Sequence, residues 1–252
     1  MIRLRLLIKV SQKDWKDIRG NRQILVPMIA LPIFFGVLYP FLLIGIPLSN
    51  GSLSSYGSIG GLLGYLDYVS VILRSLFVVI PLMITMTIAS ASWAEEKEKK
   101  TAESLFLLPL TDTELFTAKV LTSFIPGILI TWACAAASMT LIDAMVYPYI
   151  MVLLLPDFGW LFVLFVFTPI LAVFSIYMGV WVSYRARDAK SAQQIGSSVV
   201  FIFLPILITG FIGTGLANFL IYLLSAVLGA LDIALIYLSP RIFSRERMIA
   251  RF

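Results

Sequence analysis

Long apolar runs alternate with polar segments along the chain. Six runs hold about 20 or more mostly apolar residues, the length that an α-helix needs to cross a bilayer. They predict six membrane-spanning helices. A further apolar stretch, 146–156, is too short to span and has Pro148 and Pro156 at its ends, so we interpret it as an interfacial or re-entrant piece on the outer side. The six runs are residues 24–46, 70–92, 119–142, 158–183, 195–213 and 217–239.

The composition supports an all-α membrane protein. Of the 252 residues, 60% are hydrophobic and only 13% are charged, and the mean hydropathy is +0.98. A soluble protein of this size needs far more charge to cover its surface. The chain has one cysteine, Cys134, and no histidine. This excludes a disulfide framework and removes the usual general base and the commonest metal ligand.

The positions of lysine and arginine predict the topology. Eighteen of the nineteen fall in residues 1–23, 93–119, 184–194 or the tail after residue 240. Positive residues favour the cytoplasmic side, so we expect both termini in the cytoplasm and the chain in the cell membrane. Arg74, near the outer end of the second run, is the exception. The net charge of +5 does not indicate nucleic-acid binding, because the basic residues flank apolar runs.

The N-terminal residues 1–22 have the pattern of an amphipathic helix at the membrane interface. Apolar residues, Trp15 among them, recur at helical spacing while lysine and arginine take another face. Such a helix binds anionic lipid, touches a partner, or does both. Gly20 and Asn21 then break it. Residues 23–240 form the predicted six-span domain, and 241–252 form a basic cytoplasmic tail.

The segment 93–118 is the most polar part of the chain. Glu96 and Lys100 are spaced i, i+4 in the favourable order, so the second helix can continue into water. Four apolar residues, 105–108, follow before Pro109 stops the helix. Thr111 and Glu114 form a capping-box pattern that starts the next helix. We expect a helical hairpin whose apolar tip docks on a partner or folds back onto the membrane.

The stretch EKEKKTAESLFLLPLTDTELFTAK, residues 96–119, resembles the cytoplasmic loop of type-two ABC exporter permeases. Lys100 and Ala118 stand where that family often has glycine. The predicted six spans, cytoplasmic termini and N-terminal amphipathic helix are similar to the same family. The positions that fall on its pattern are Glu96, Glu98, Thr101, Glu103, Leu105, Pro109, Glu114 and Lys119.

The resemblance implies a mechanism and partners. Two permease copies, or a permease and a paralogue, would form the pore by which a substrate is exported. A separate ATPase would dock on residues 95–110, with Phe106 and Leu108 adding to the apolar contact, and would drive alternating access. The sequence has no Gly-x-x-x-x-Gly-Lys-Ser/Thr loop to hold ATP phosphates. ATP and Mg²⁺ would therefore bind to the partner ATPase, and we expect no cofactor on this chain.

Two ionisable residues, Asp232 and Arg74, lie within predicted spans, where charge is costly. Asp232 faces a polar pathway or is a structural residue. Arg74 is expected to extend its side chain to the lipid headgroups. The alternatives to a permease are an ion-coupled carrier that uses Asp232 and a membrane anchor that keeps the docking loop but transports nothing. An intramembrane enzyme is disfavoured, because the sequence has no local motif for one.

Overall fold

Helices account for the regular structure of the protein. A computed structural model describes residues 12–13, 15–16, 18–50, 59–98, 111–186, 189–212 and 214–242, and these ranges contain no β-strand. Residues 12–20, where described, are helical, and Asn21 interrupts them before the first long helix as predicted. The long helices are α1 (22–49), α2 (Ile59–Phe77), α3 (Val79–Glu98), α4 (Asp112–Ile150), α5 (158–185), α6 (189–212) and α7 (Thr214–Ile242).

Six stretches of the described chain are long and apolar enough to cross a membrane, which confirms the predicted number of spans. In each of them, the most apolar 18 consecutive residues have a mean hydropathy of at least 1.8. We number them as the first to sixth spans. They are Met28–Ser49, Gly60–Trp93, Glu114–Ile150, Phe158–Ser183, Gln194–Ile212 and Gly215–Tyr237.

The outer ends of the second and third spans differ from the prediction. The second span begins at Gly60 rather than at residue 70, because α2 continues through glycines and Asp67 that lower the local hydropathy. Helix α4 continues to Ile150, so residues 146–150 continue the third helix rather than form a separate piece with 151–156. With 39 residues, α4 is roughly 58 Å long and extends beyond the bilayer.

Helix α3 lies at the centre of the bundle. In the second span, Gly60–Trp93, 89% of the most apolar 18-residue segment is buried inside the protein. The corresponding share in the other spans is 17 to 44%. Small residues allow this close packing. A Cβ added at Gly127 of α4 would overlap the Thr85 side chain, so the two helices touch there. The Thr85 and Ser175 hydroxyls hydrogen-bond to each other and join α3 to α5. We therefore expect displacement of α3 to move its neighbours.

Prolines within the spans account for the irregular turns. Pro81 has no N–H for the carbonyl of Phe77, and the second span breaks at Val78. The other departures from α-helical geometry are π-helical turns at Phe34–Leu38, Phe41–Gly45 and Val163–Phe167 and a 3-10 turn at Val200–Phe203. Pro40, Pro169 and Pro205 stand within two residues of these turns. In one of them the Thr168 hydroxyl donates to the Val163 carbonyl at 2.9 Å.

Candidate functional site at the base of the 93–118 loop

Two helices, α3 and α4, carry the loop. Helix α3 continues past the apolar run to Glu98, so Glu96 and Glu98 lie in its last turns. Residues 99–110 lie outside the described chain. The predicted docking residues in that range are Thr101, Glu103, Leu105, Phe106, Leu108 and Pro109, and their docking role stays a prediction.

A capping box starts α4 where the loop returns. The Glu114 backbone N–H donates to the Thr111 hydroxyl at 3.3 Å, and the Glu114 carboxylate accepts from the Thr111 N–H at 2.8 Å. Two N–H groups that would otherwise lack helical partners are thus satisfied. This confirms the predicted helix start and fixes the direction in which the chain enters the third span.

Lys119 joins the two sides of the loop. Its ammonium donates to the Ser92 hydroxyl at 3.1 Å and lies 4.5 Å from the centroid of the Trp93 ring. Only 3% of the residue is exposed. A cation over a tryptophan face is attracted by the ring quadrupole, most strongly where water is excluded. The resemblance to the family selected Lys119, and the structure places its side chain, which comes from α4, against Ser92 and Trp93 of α3.

An apolar cluster supports this contact on the side of α5. Buried Trp93 and Phe116 pack with Ile176 and Val180, and the Phe116 and Tyr177 rings lie 5.5 Å apart. The aromatic residues come from all three helices around the loop base. Because protein interiors are densely packed, a displacement of the loop base must be accommodated by α5 as well as by α3.

Close backbone contact between α3 and α5 continues one turn further into the bundle. A Cβ added at Gly179 would lie 3.0 Å from the Ala89 Cβ and 3.1 Å from the Met86 carbonyl oxygen. Glycine is therefore required by the contact with another helix rather than by its own backbone conformation. The loop base is connected to the centre of the bundle through helices in direct contact.

Arg74 lies far along the second span from the loop base. It stands in the last turn of α2 and is only 4% exposed, so the expected extension of its side chain to lipid headgroups is wrong. Its Nη1 lies 3.4 Å from a carboxylate oxygen of Asp157. A Cβ on Gly159 would overlap the guanidinium, so this glycine makes room for the pair. The ion pair joins α2 to the start of α5, and its arginine is buried while the Asp157 side chain is 38% exposed.

Asp157 also organises the start of the fourth span. Its carboxylate caps the helix by accepting the Trp160 N–H at 2.8 Å. The Trp160 indole donates to the Ser70 hydroxyl at 3.1 Å, and its ring meets Phe77 edge to face at 5.0 Å. Nearby, Asp143 accepts the backbone N–H groups of residues 154 and 155. These acids have structural partners.

Asp232 is the buried acid without such partners. It is 5% exposed on α7, and neither carboxylate oxygen has a hydrogen-bond partner in the described part of the chain. Helix α7 packs on α5, where an added Cβ at Gly229 would lie 3.6 Å from Ile170. The structure brings neither Asp232 nor Arg74 to the loop base. The described residues hold no group of three or more histidine, cysteine or acidic residues that could bind a metal.

Sequence reasoning missed the residues that hold the loop base and the Arg74 pair. Trp93 and Phe116 stand just outside the two apolar runs 70–92 and 119–142, on the side of the loop, and this pair of aromatic residues is a detectable signal for a contact across it. Asp157 stands three residues before Trp160, the spacing of a helix N-cap. Gly179 carries no such local signal, because the reason for it lies on another helix.

A comparison with protein families matches residues 46–227 to the ABC-2 family transporter protein family. The chain belongs to this family. The match covers both helices of the loop base and the Arg74–Asp157 pair, whereas residues 12–45 and Asp232 lie outside it. No curated protein and no solved structure matches the chain.

Membership of the ABC-2 family gives the chain its broad role. It is a multi-pass membrane protein of an ABC transporter, a permease of the type that normally works with an ABC ATPase subunit. The family is one of transmembrane subunits that lack a nucleotide-binding motif, and this sequence likewise has no phosphate-binding loop.

Proposed function

We propose that the chain is the permease subunit of an ABC exporter in the cell membrane, with the loop 93–118 and both termini in the cytoplasm. A separate ATPase docks on residues 95–110, and ATP and Mg²⁺ bind to that ATPase. A second copy or a paralogue completes the pore, which exports its substrate by alternating access. The observation that carries the proposal is the connection of Lys119 to Ser92 and Trp93 beside the loop.

The proposed stroke follows the packing of the helices. A docked ATPase moves the tip of the loop, and the capped start of α4 and the last turns of α3 move with it. Lys119 and the aromatic cluster keep these two helices together. Gly179 places α5 against α3, so the displacement reaches the fourth span and the central Thr85–Ser175 pair.

The test is the retention of an ATPase by the gently extracted protein. We expect a stoichiometric ATPase with a phosphate-binding loop to co-purify, as identified by mass spectrometry. Replacing Leu105 and Phe106 by glutamate should remove it while membrane insertion stays normal. The matched control replaces Met248 and Ile249, two apolar residues of the predicted cytoplasmic tail, by glutamate. An ATPase that stays bound to the Leu105/Phe106 variant contradicts the docking site.

A second candidate function is an ion-coupled carrier in which Asp232 binds the coupling ion. The buried carboxylate without a partner in the described chain favours it. It predicts flux driven by an ion or pH gradient in protein that purifies without an ATPase. Family membership favours the exporter, which predicts flux only with ATP.

A further inference from the structure

An apolar groove runs between residues 12–28, which include the helical N-terminal segment 12–20, and the first half of α4. It has a volume of about 450 Å³, and Trp15 and Met28 line one side. The other side is formed by Leu121, Ile125 and Leu129, which are spaced i, i+4, i+8 and therefore share one face of α4. These three side chains are 43 to 57% exposed. The volume lies within the ~300–1,000 Å³ of small-molecule sites.

Positive charge borders the groove. Gln12, Trp15 and Arg19 are spaced i, i+3, i+7, so they lie on one face of the helical N-terminal segment. The Arg19 guanidinium carbon lies 5.3 Å from the centroid of the Trp15 ring. The side chains of Lys16 and Arg19 are exposed. A ligand that fits here has an apolar chain and an anionic head.

The groove lies at the same end of the bundle as the loop base. Thr122, one of its polar lining residues, donates its hydroxyl to the Ala118 carbonyl at 2.9 Å, one residue before Lys119. Tryptophan prefers the boundary between headgroups and acyl chains, so we assign Trp15 to this level. The groove thus opens where a lipid of that leaflet presents its head and the start of its chains.

We propose that this groove binds an acyl chain of an anionic phospholipid, with the phosphate of the headgroup beside Arg19. Its assignment to the cytoplasmic leaflet rests on the orientation in the proposed function. A second copy of the chain is a poorer occupant, because it would bring the same positive segment to a positive border. Lipid bound here joins the N-terminal segment to α4 beside the loop base, so it stabilises the part of the permease that receives the ATPase stroke.

The test uses the full chain in nanodiscs of phosphatidylcholine that contain a minor fraction of phosphatidylglycerol. A photoactivatable group on the acyl chain reports contacts, and peptide mass spectrometry locates them. We expect cross-links in residues 121–130 and 12–28. Labelled phosphatidylglycerol should be preferred over labelled phosphatidylcholine by about fivefold, because one basic residue near an anionic membrane surface contributes a preference of about this size. Arg19→Gln should remove most of that preference, whereas Lys13→Gln, on another face of the same segment, should keep it.

A second pair of variants tests the groove itself. Leu129→Trp fills it, and Leu216→Trp adds the same side chain at a span position of similar exposure, 59% against 57%. We expect Leu129→Trp to lose most of the cross-links and Leu216→Trp to keep them. Equal labelling of both variants, equal labelling by the two lipids, or protein–protein cross-links at the groove overturn the proposal. Because the assay needs no ATPase, its result is independent of whether an ATPase co-purifies.

Discussion

At the residue scale, the loop base depends on a cation that is buried but well partnered. The Lys119 ammonium has a hydroxyl and an aromatic face within reach and is shielded from water. Desolvation of a lone ammonium would be costly. The interactions with Ser92 and Trp93 offset that cost only while the last turns of α3 and the start of α4 stay together. Lys119 therefore makes the spacing of the two helices energetically important.

The Lys119–Trp93 contact can be measured with a double-mutant cycle. We expect Lys119→Met and Trp93→Leu to show a coupling free energy of about 1–2 kcal/mol in equilibrium unfolding in detergent, because the cation–π contact is desolvated. The control cycle pairs Lys119→Met with Trp132→Leu, roughly 20 Å further along α4, and should show none. Equal couplings in the two cycles would mean that the contact contributes nothing specific.

The ion pair between Arg74 and Asp157 can be tested by a substitution at Gly159. Gly159→Ala places a methyl group where the Arg74 guanidinium lies and separates it from Asp157. We expect a loss of about 1–3 kcal/mol in the free energy of unfolding, because a buried charge loses its partner. Gly64→Ala is the control, since a Cβ there meets nothing within 4 Å. It should be neutral or stabilising by up to about 1 kcal/mol.

At the element scale, the contact between α3 and α5 decides how far a movement of the loop travels. Gly179→Ala forces a methyl group against the backbone of α3, 3.1 Å from the Met86 oxygen. We expect it to destabilise the protein by about 1–3 kcal/mol, because overpacking moves whole helices apart. Gly229→Ala, at the α7–α5 contact, meets Ile170 at an ordinary 3.6 Å and should change stability by less than about 1 kcal/mol. Thermal unfolding of both variants in the same detergent compares them, and equal losses would argue against a tight α3–α5 contact.

The helices were predictable from the sequence where neighbouring residues along the chain determine them. Apolar length predicts the six spans, and the Thr111–Glu114 spacing predicts the helix start. The extension of the second span to Gly60 was missed, because hydropathy decreases at glycines even where a helix continues. The burial of Arg74 was missed because its partner, Asp157, comes from another helix. Local patterns do not show which distant side chains meet.

At the scale of the whole molecule, the central position of α3 links the candidate docking loop to the rest of the bundle. Its buried face meets α4 at Gly127 and α5 at Gly179 and Ser175. We therefore expect a force applied at the end of α3 to reach both α4 and α5. Asp232 lies on α7, away from these contacts of α3. Its role decides whether transport is driven by ATP or by an ion gradient.

Asp232→Leu distinguishes the exporter from the ion-coupled carrier. A buried carboxylate without a partner weakens a fold, so replacing it by an apolar side chain should stabilise the protein by about 1–3 kcal/mol. Asp143→Leu is the matched control and should destabilise it, because Asp143 accepts two backbone N–H groups. In an ATP-driven exporter, the Asp232→Leu complex should also hydrolyse ATP at the wild-type rate. A stable Asp232→Leu protein that no longer responds to an imposed pH gradient, where the wild type does, would instead identify the carboxylate as the coupling site.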